Sequence, residues 1–176
     1  GKEYDFVAGP NKGGVFYTNM VGPGYNYDRY DRDYLEPMGV NVLVYSPTRG
    51  TYINSNVTAK QNPQSSLSYV HVRELVIYLQ DEITEMLRDH HFDYNVPAVR
   101  DMIKGKADSI CDKVYSNNGL VTYYNVMDES NNTQDVINAE MAVLDTHIEP
   151  AFGCGKIVHR INIYKTGQLS GVTTAE

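Results

Sequence analysis

The stretch "SLSYVHVRELVIYLQDEITEMLRDHH", residues 66–91, decides the fold. In it Val72, Leu75, Val76, Leu79, Ile83, Met86 and Leu87 recur at three-and-four spacing. That period lines side chains along one face of an α-helix. Arg73, Glu74, Asp81, Glu82, Glu85, Arg88 and Asp89 fall largely off the stripe, so the other side is charged. About 20 residues in a helix span roughly 30 Å, enough to cross a domain. Such a stripe has to be buried, and the flanking sequence supplies the partners.

Downstream, "NVP" (95–97) places Asn95 as a cap just ahead of a proline in a first helical turn. A second helix follows with Val99, Met102, Ile103, Ile110 and Val114 inward; Gly105 weakens its middle and "NNG" (117–119) stops it. The last third alternates and is rich in β-branched and aromatic residues: "LVTYYNVM" (120–127), "MAVLDTHIE" (141–149) and "KIVHRINIYK" (156–165) read as strands. In the third, Ile157, His159, Ile161 and Ile163 share a mainly apolar face, with Val158, Arg160, Asn162 and Tyr164 on the reverse.

Upstream, "YDRYDRDYLEPMG" (27–39) reads as a short helix ending near Pro37 and Gly39. "VNVLVYSPTRGTYIN" (40–54) reads as a strand, a Pro/Gly turn and a second strand, followed by a loop. Residues 1–27 are rich in Gly and Asn and read as an extended or irregular arm lying across something else. The expected fold is α+β: a single domain over 1–176, a mixed β-sheet with two long helices on one face, and extended arms at both ends, the C-terminal one being 156–176.

The 176 residues carry 15 Lys and Arg against 22 Asp and Glu, a net charge of −7. An acidic balance gives no general attraction to nucleic acid or anionic membranes. No window of about 18 apolar residues and no signal pattern is present, so a cytoplasmic origin is expected. A start at Gly1 without Met suggests an excised or processed piece of a longer protein. Cys111 and Cys154 stand far apart, outside any ligand-spaced cluster, and read as reduced small hydrophobes. Fifteen Tyr and no Trp hint at surfaces that are buried against a partner.

Site chemistry finds little foothold. His90 and His91 are adjacent, so on a helix they point about 100° apart and do not share one metal ion. "DRYDRD" (28–33) interleaves two Arg with three Asp, which spoils a calcium cage, and "GPNKGG" (9–14) lacks phosphate-loop spacing. Asn56-Val57-Thr58 and Asn131-Asn132-Thr133 match the glycosylation sequon, which is inert without secretion. No nucleophile arrangement stands out, so neither catalysis nor a cofactor is expected. The densest polar run, "DESNNTQD" (128–135), reads as a connection from a strand into a short capped turn, with Asp135 in its first turn. The competing reading is a small metal- or ligand-binding module built on that run.

Taken in order, several of these stretches resemble the C-terminal domain of contractile tail sheath proteins. They are "AGPNKGG" (8–14), "DRDYLEPMGVNVLVYSPTRGTYI" (31–53), "SYVHVRELVIYLQDEI" (68–83), "FDYN" (92–95), "VMDESNNTQDVI" (126–137) and "IEP" (148–150). The departure is Glu74, where the family usually has a second Arg. The resemblance implies a non-enzymatic structural subunit of a virion tail, assembled in the host cytoplasm. Such subunits stack as hexameric rings around a tail tube and contract to drive the tube through the host envelope. Implied partners are further copies of the chain, the tail tube protein, and baseplate and tail terminator proteins. Nucleic acid is not a partner, and membrane is reached only indirectly. The sheath of a phage-tail-like bacteriocin or secretion system fits the same pattern. In the family, terminal arms add strands to neighbouring subunits' sheets, which makes Ile157, His159, Ile161 and Ile163 candidates for strand addition. Arg73, Lys104, Lys106 and Lys113 are the candidates for a tube-facing helix surface.

Overall fold

A computed structural model describes residues 3–12, 27–155, 157–161 and 163. Its first regular element is α1 (Arg29–Leu35), capped by Asp28, whose carboxylate accepts from the Asp31 amide while Asp31 answers to the Asp28 amide. A 3-10 turn (Glu36–Met38) with Pro37 near its start ends at Gly39 in the left-handed region, φ 80°. Glycine is required there for space as well as angle, since a Cβ would lie 2.7 Å from the Thr58 carbonyl oxygen. The antiparallel hairpin β1 (Leu43–Ser46) and β2 (Gly50–Ile53) follows, as the Pro/Gly turn predicts.

The long stripe forms α2 (Val70–Arg88), and the next helix is α3 (Pro97–Ser116). Leu75 and Leu79 of α2 meet Ile110, Cys111 and Val114 of α3 and Leu120 of the strand beyond in one buried cluster. Burying each such aliphatic side chain contributes on the order of 2 kcal/mol. Val76, Ile83, Met86 and Leu87 are half-buried, which fits a helix covering the edge of that cluster. On α3 the sequence reading needs correction. Met102, expected inward, is 44% exposed, whereas Arg100 and Ala107 are buried. A small Ala permits close approach, and Arg100 is admitted because its guanidinium has partners.

The cap of α3 also differs from expectation. Val96 is the N-cap residue and Pro97 takes the first helical position. Asn95 instead donates its amide to the Met141 carbonyl (2.8 Å) and accepts from Arg100 (3.0 Å), so it ties the helix start to the strand-side loop. The stop is as read: the Gly119 amide closes on the Val114 carbonyl, with Asn118 at φ 60°.

Strands β3 (Leu120–Val126) and β4 (Asp145–Pro150) pair antiparallel, with α4 (Gln134–Asn138) between them. Leu120, Tyr123 and Ile148 face the α2–α3 cluster, so the helices cover one face of this hairpin. Its other face carries Val121 and Tyr124, more than half exposed, with Tyr124 stacked on its cross-strand partner His147. The class is α+β, but not through one mixed sheet. Among the described residues there are two separate two-stranded antiparallel sheets.

The segments nearest the ends differ from each other. Residues 3–12 fold back onto the body: Tyr4 packs on Tyr78 with ring centroids 5.2 Å apart, and the Gly9 amide bonds to the Ile53 carbonyl. Residues 13–26 and 164–176 lie outside the described residues, with much of the arms expected there. Of the strand expected at 156–165, the described residues 157–161 and 163 join no sheet. Within a single chain this alternating segment has no ladder to complete, and alternation alone does not supply one.

Candidate functional site

The polar run at 128–135 is a hydrogen-bonded clasp. The Asp128 carboxylate accepts from the amide (2.8 Å) and hydroxyl (2.6 Å) of Ser130. Those two donors hold the exposed Asp128 carboxyl below its usual range. Asn131 accepts from the Asp128 amide and donates to the Val126 carbonyl (2.9 Å) and the Asp145 carboxylate (2.8 Å), so it joins the end of β3 to the start of β4. Asn132, 1% exposed, accepts from the Val143 amide and donates to the Val143 carbonyl, both at 2.8 Å. Its amide thus pairs with a backbone unit as a strand neighbour would. Thr133 occupies the N-cap of α4 but makes no side-chain cap bond, so the caps here belong to Asp128 and the two Asn.

Glu129 reaches the other way. Its carboxylate accepts from Arg100 at 2.8 Å and so ties the loop to α3; the Arg100 side chain is 5% exposed and that of Glu129 77%. Further along α3, buried Asn125 of β3 donates to Asp108 at 2.9 Å, and the Tyr123 hydroxyl donates to Asp112 at 2.5 Å. Donation to a carboxylate holds the Tyr123 hydroxyl well above its ordinary titration range. Glu129, Asp108 and Asp112 thus each take part in joining the loop or β3 to α3. Among the described residues no group of three His, Cys, Asp or Glu side chains could hold a metal ion.

His90 lies between Asp93 and Lys106, with Nδ1 2.7 Å from the carboxylate and Nε2 2.7 Å from the ammonium. It locks the α2–α3 turn, beyond which Phe92 and Tyr94 stand 95% and 86% exposed. Cys111 is buried and burial pushes its thiol up; Cys154 is exposed, so only one of the two behaves as a core residue.

The four basic candidates do not share a face. Lys106 and Lys113, seven residues apart, lie on one side of α3, while Lys104 points about 160° away and sits 3.9 Å from Asp108. Arg73 is exposed on α2. The strand-addition candidates are all exposed, Ile157 at 86%, Ile161 at 73% and Ile163 at 91%, together with His159. Three apolar side chains in solvent within one short segment form a larger apolar exposure than a lone surface residue.

Sequence reasoning missed two functional-looking residues. Arg100 was hidden because a charged residue is rarely scored as core. His71 was passed over beside the Val72–Leu75 stripe, although it is 5% exposed at the head of α2. There it borders a cavity of about 840 Å³ whose other walls include Phe6, Arg29, Ser55, Phe152 and Ile157. Its polar environment could be found only once residues 6, 56 and 151 were brought to it by the fold.

No protein-family model matches the chain. It is 26% identical over 144 residues to the tail sheath protein of Vibrio phage KVP40, a match covering 82% of this chain and 21% of the phage protein. A chain of the six-fold symmetrised anti-feeding prophage baseplate superposes with a TM-score of 0.78 at 18% identity, over 92% of this chain and 45% of that one. The sheath complex of an extracellular contractile injection system in its contracted state gives 0.73 at 14% identity, over 81% and 42%. The contracted helical sheath of the anti-feeding prophage gives 0.73 at 17%, over 85% and 44%. The chain spans about a fifth of the curated relative it matches and under half of each structural neighbour. It therefore has the fold found in contractile sheath complexes and is similar in sequence to a phage tail sheath protein.

Proposed function

We propose that this chain is the tube-facing domain of a contractile tail sheath subunit, a structural and non-catalytic element of a virion tail. The observation that carries this is the coincidence of two independent likenesses. The sequence match to a phage tail sheath protein and the fold match to contracted sheath complexes each cover more than four-fifths of the same chain. The subunit polymerises with further copies of itself in rings stacked along a tail tube and connects to the baseplate, the tail terminator and the tube. Contraction of that array drives the tube through the host envelope.

The open geometry supports strand addition as the linkage. The β3–β4 pair is supported by the helices on one face, and its other face, with Val121 and Tyr124, is left to solvent. Among the described residues no further strand pairs with β3 or β4, and Ile157, His159, Ile161 and Ile163 lie in an exposed segment that joins no sheet and can donate to a neighbour. Backbone bonding along such an edge tolerates sequence drift and survives rotation of the subunits better than a jigsaw of side chains. A heterologous contact that does not close generates a helical array. For the tube, Lys113 of α3 and Arg73 of α2 are the stronger candidates, while Lys104 is engaged with Asp108 and Lys106 with His90.

The test is electron microscopy of the full-length subunit with and without residues 156–176. Tubes formed by the intact protein and abolished by the deletion are the expected result. A full-length protein that stays monomeric under assembly conditions overturns the reading. Charge reversal at Arg73 and Lys113 is expected to leave empty sheath tubes intact and to weaken their binding to tail tube.

A further inference from the structure

The N-terminal segment, the head of α2 and the chain leaving β4 meet at one side chain, His71. Its ring stacks on Phe6 with centroids 4.1 Å apart and 28° between planes, and meets Phe152 edge-on at 6.2 Å. Nε2 lies 3.3 Å from the Ala151 carbonyl oxygen and Nδ1 lies 2.6 Å from the Asn56 side-chain nitrogen. Phe6 is held from the other side by Gly153, where an added Cβ would sit 2.5 Å from the ring. One imidazole thus fastens residues near both ends of the described chain to the same helix.

We propose that His71 is an acid-sensitive joint: its neutral ring holds the roots of the N- and C-terminal segments together on α2, and protonation loosens both at once. The hydrogen bonds fix the tautomer. Nε2–H donates to Ala151, and Nδ1 accepts from the Asn56 amide. A second ring proton would point at a donor. Among the described residues the Asn56 Oδ1 is itself buried without a partner, so turning the amide leaves an N–H in that same unpartnered place. The second position of a helix is also where its macrodipole disfavours a cation.

The surrounding charges do not reverse this. The N-terminal segment brings Lys12, which lies over the Phe6 ring at 5.4 Å and pairs with Asp5. The cavity is also lined by Arg29, Arg32 and Asp33 of α1 and by Glu36 of the 3-10 turn, with Arg29 paired to Asp33. Among the described residues Tyr69, the N-cap of α2, and Cys154 of the C-terminal segment complete the titratable set, and residues 54–57 carry none. Both ring nitrogens are engaged by neutral groups. Burial accordingly lowers the ring's affinity for a proton, with the Ala151 carbonyl opposing more weakly.

The sign follows from linkage. A group that favours its neutral form in the folded joint contributes its full stability above its ordinary value of 6.5 and loses it as pH falls below that. One proton gives a loss of up to about tenfold per pH unit in the closed-to-open ratio. Its consequence for assembly rests on the sheath reading, because those roots then carry the arms that link subunits.

The experiment follows the 176-residue chain by NMR from pH 8 to pH 5. It reads the His71 ring protons and the exchange protection of the bonded Gly9 and Ala151 amides, corrected for intrinsic exchange. Protection of both is expected to fall together as the ring titrates, by up to about tenfold per pH unit, while amides within α3 hold. Asn56→Asp offers the protonated ring an acceptor, so protection should persist into acid. His71→Gln should be weaker at every pH without a transition. Protection that stays flat in the wild type, or an Asn56→Asp variant that opens at the wild-type pH, overturns the joint. In parallel, full-length tubes are scored at pH 7.5 and 5.5. If no tubes form at either pH, the sheath reading fails while the NMR arm still decides the joint. Tubes that form equally well at both pH values overturn its role in assembly.

Discussion

Replacing Asn132 by Ala tests whether the polar loop is a structural clasp. Asn132 is 1% exposed and its side chain makes three hydrogen bonds of 2.8 Å, two of them to the backbone amide and carbonyl of Val143. Each is worth about 1 kcal/mol net, and truncation leaves the Val143 groups without their partner. Val143 is half-buried, so water recovers part of the loss. The expected cost is about 2–3 kcal/mol, which for a chain of this size lowers Tm by about 5–10 °C. Urea unfolding followed by circular dichroism would measure it, with an unchanged m-value marking an intact native state. Thr133→Ala is the control: its hydroxyl makes no cap bond, so the cost should stay below about 0.5 kcal/mol. If Asn132→Ala costs no more than Thr133→Ala, the clasp reasoning is wrong.

Five further substitutions probe the rest of the frame. Leu75→Ala removes a side chain that is 2% exposed at the centre of the α2–α3–β3 cluster, and should cost about 3–4 kcal/mol in the same unfolding assay. Gly39→Ala should cost about 2 kcal/mol or more, because strain at φ 80° is joined by a clash with the Thr58 backbone. Gly50→Ala, at φ 74° in open space, should cost about 1 kcal/mol, and equal costs would remove the close-approach argument. Arg100→Ala should destabilise by about 2–3 kcal/mol through lost bonds and lost packing. Glu129→Gln, whose group is mostly in solvent, should cost less than about 1 kcal/mol. A double-mutant cycle between the two gives the coupling directly.

Comparison of the loop with α2 shows where sequence and structure part company. The apolar stripe of α2 was legible because helical periodicity is local: seven residues at fixed spacing define a face wherever the helix lies. The same holds for the Pro/Gly turn of β1–β2, the stop at Asn117–Gly119, and Asp135 in the first turn of α4. The run "DESNNT" was recognisable as a pattern and as turn chemistry, yet its purpose was not. Asn132 is explained by Val143 and Glu129 by Arg100, residues 11 and 29 positions away. Spacing on one segment carries no information about a partner that arrives from another.

By itself, then, the sequence determined the helices, the hairpin turn and the order of elements, since each follows from backbone preferences and the period of apolar residues within a few turns. It also carried the pattern by which the chain resembles tail sheath proteins. Only the tertiary structure decided that the expected single sheet is two hairpins, because strand pairing depends on which edges meet. It alone decided that Arg100 and His71 are inside, because burial of a polar group depends on partners supplied from elsewhere in the fold. And it left residues 157–161 and 163 without a ladder: an alternating segment specifies a strand only when an edge is there to receive it.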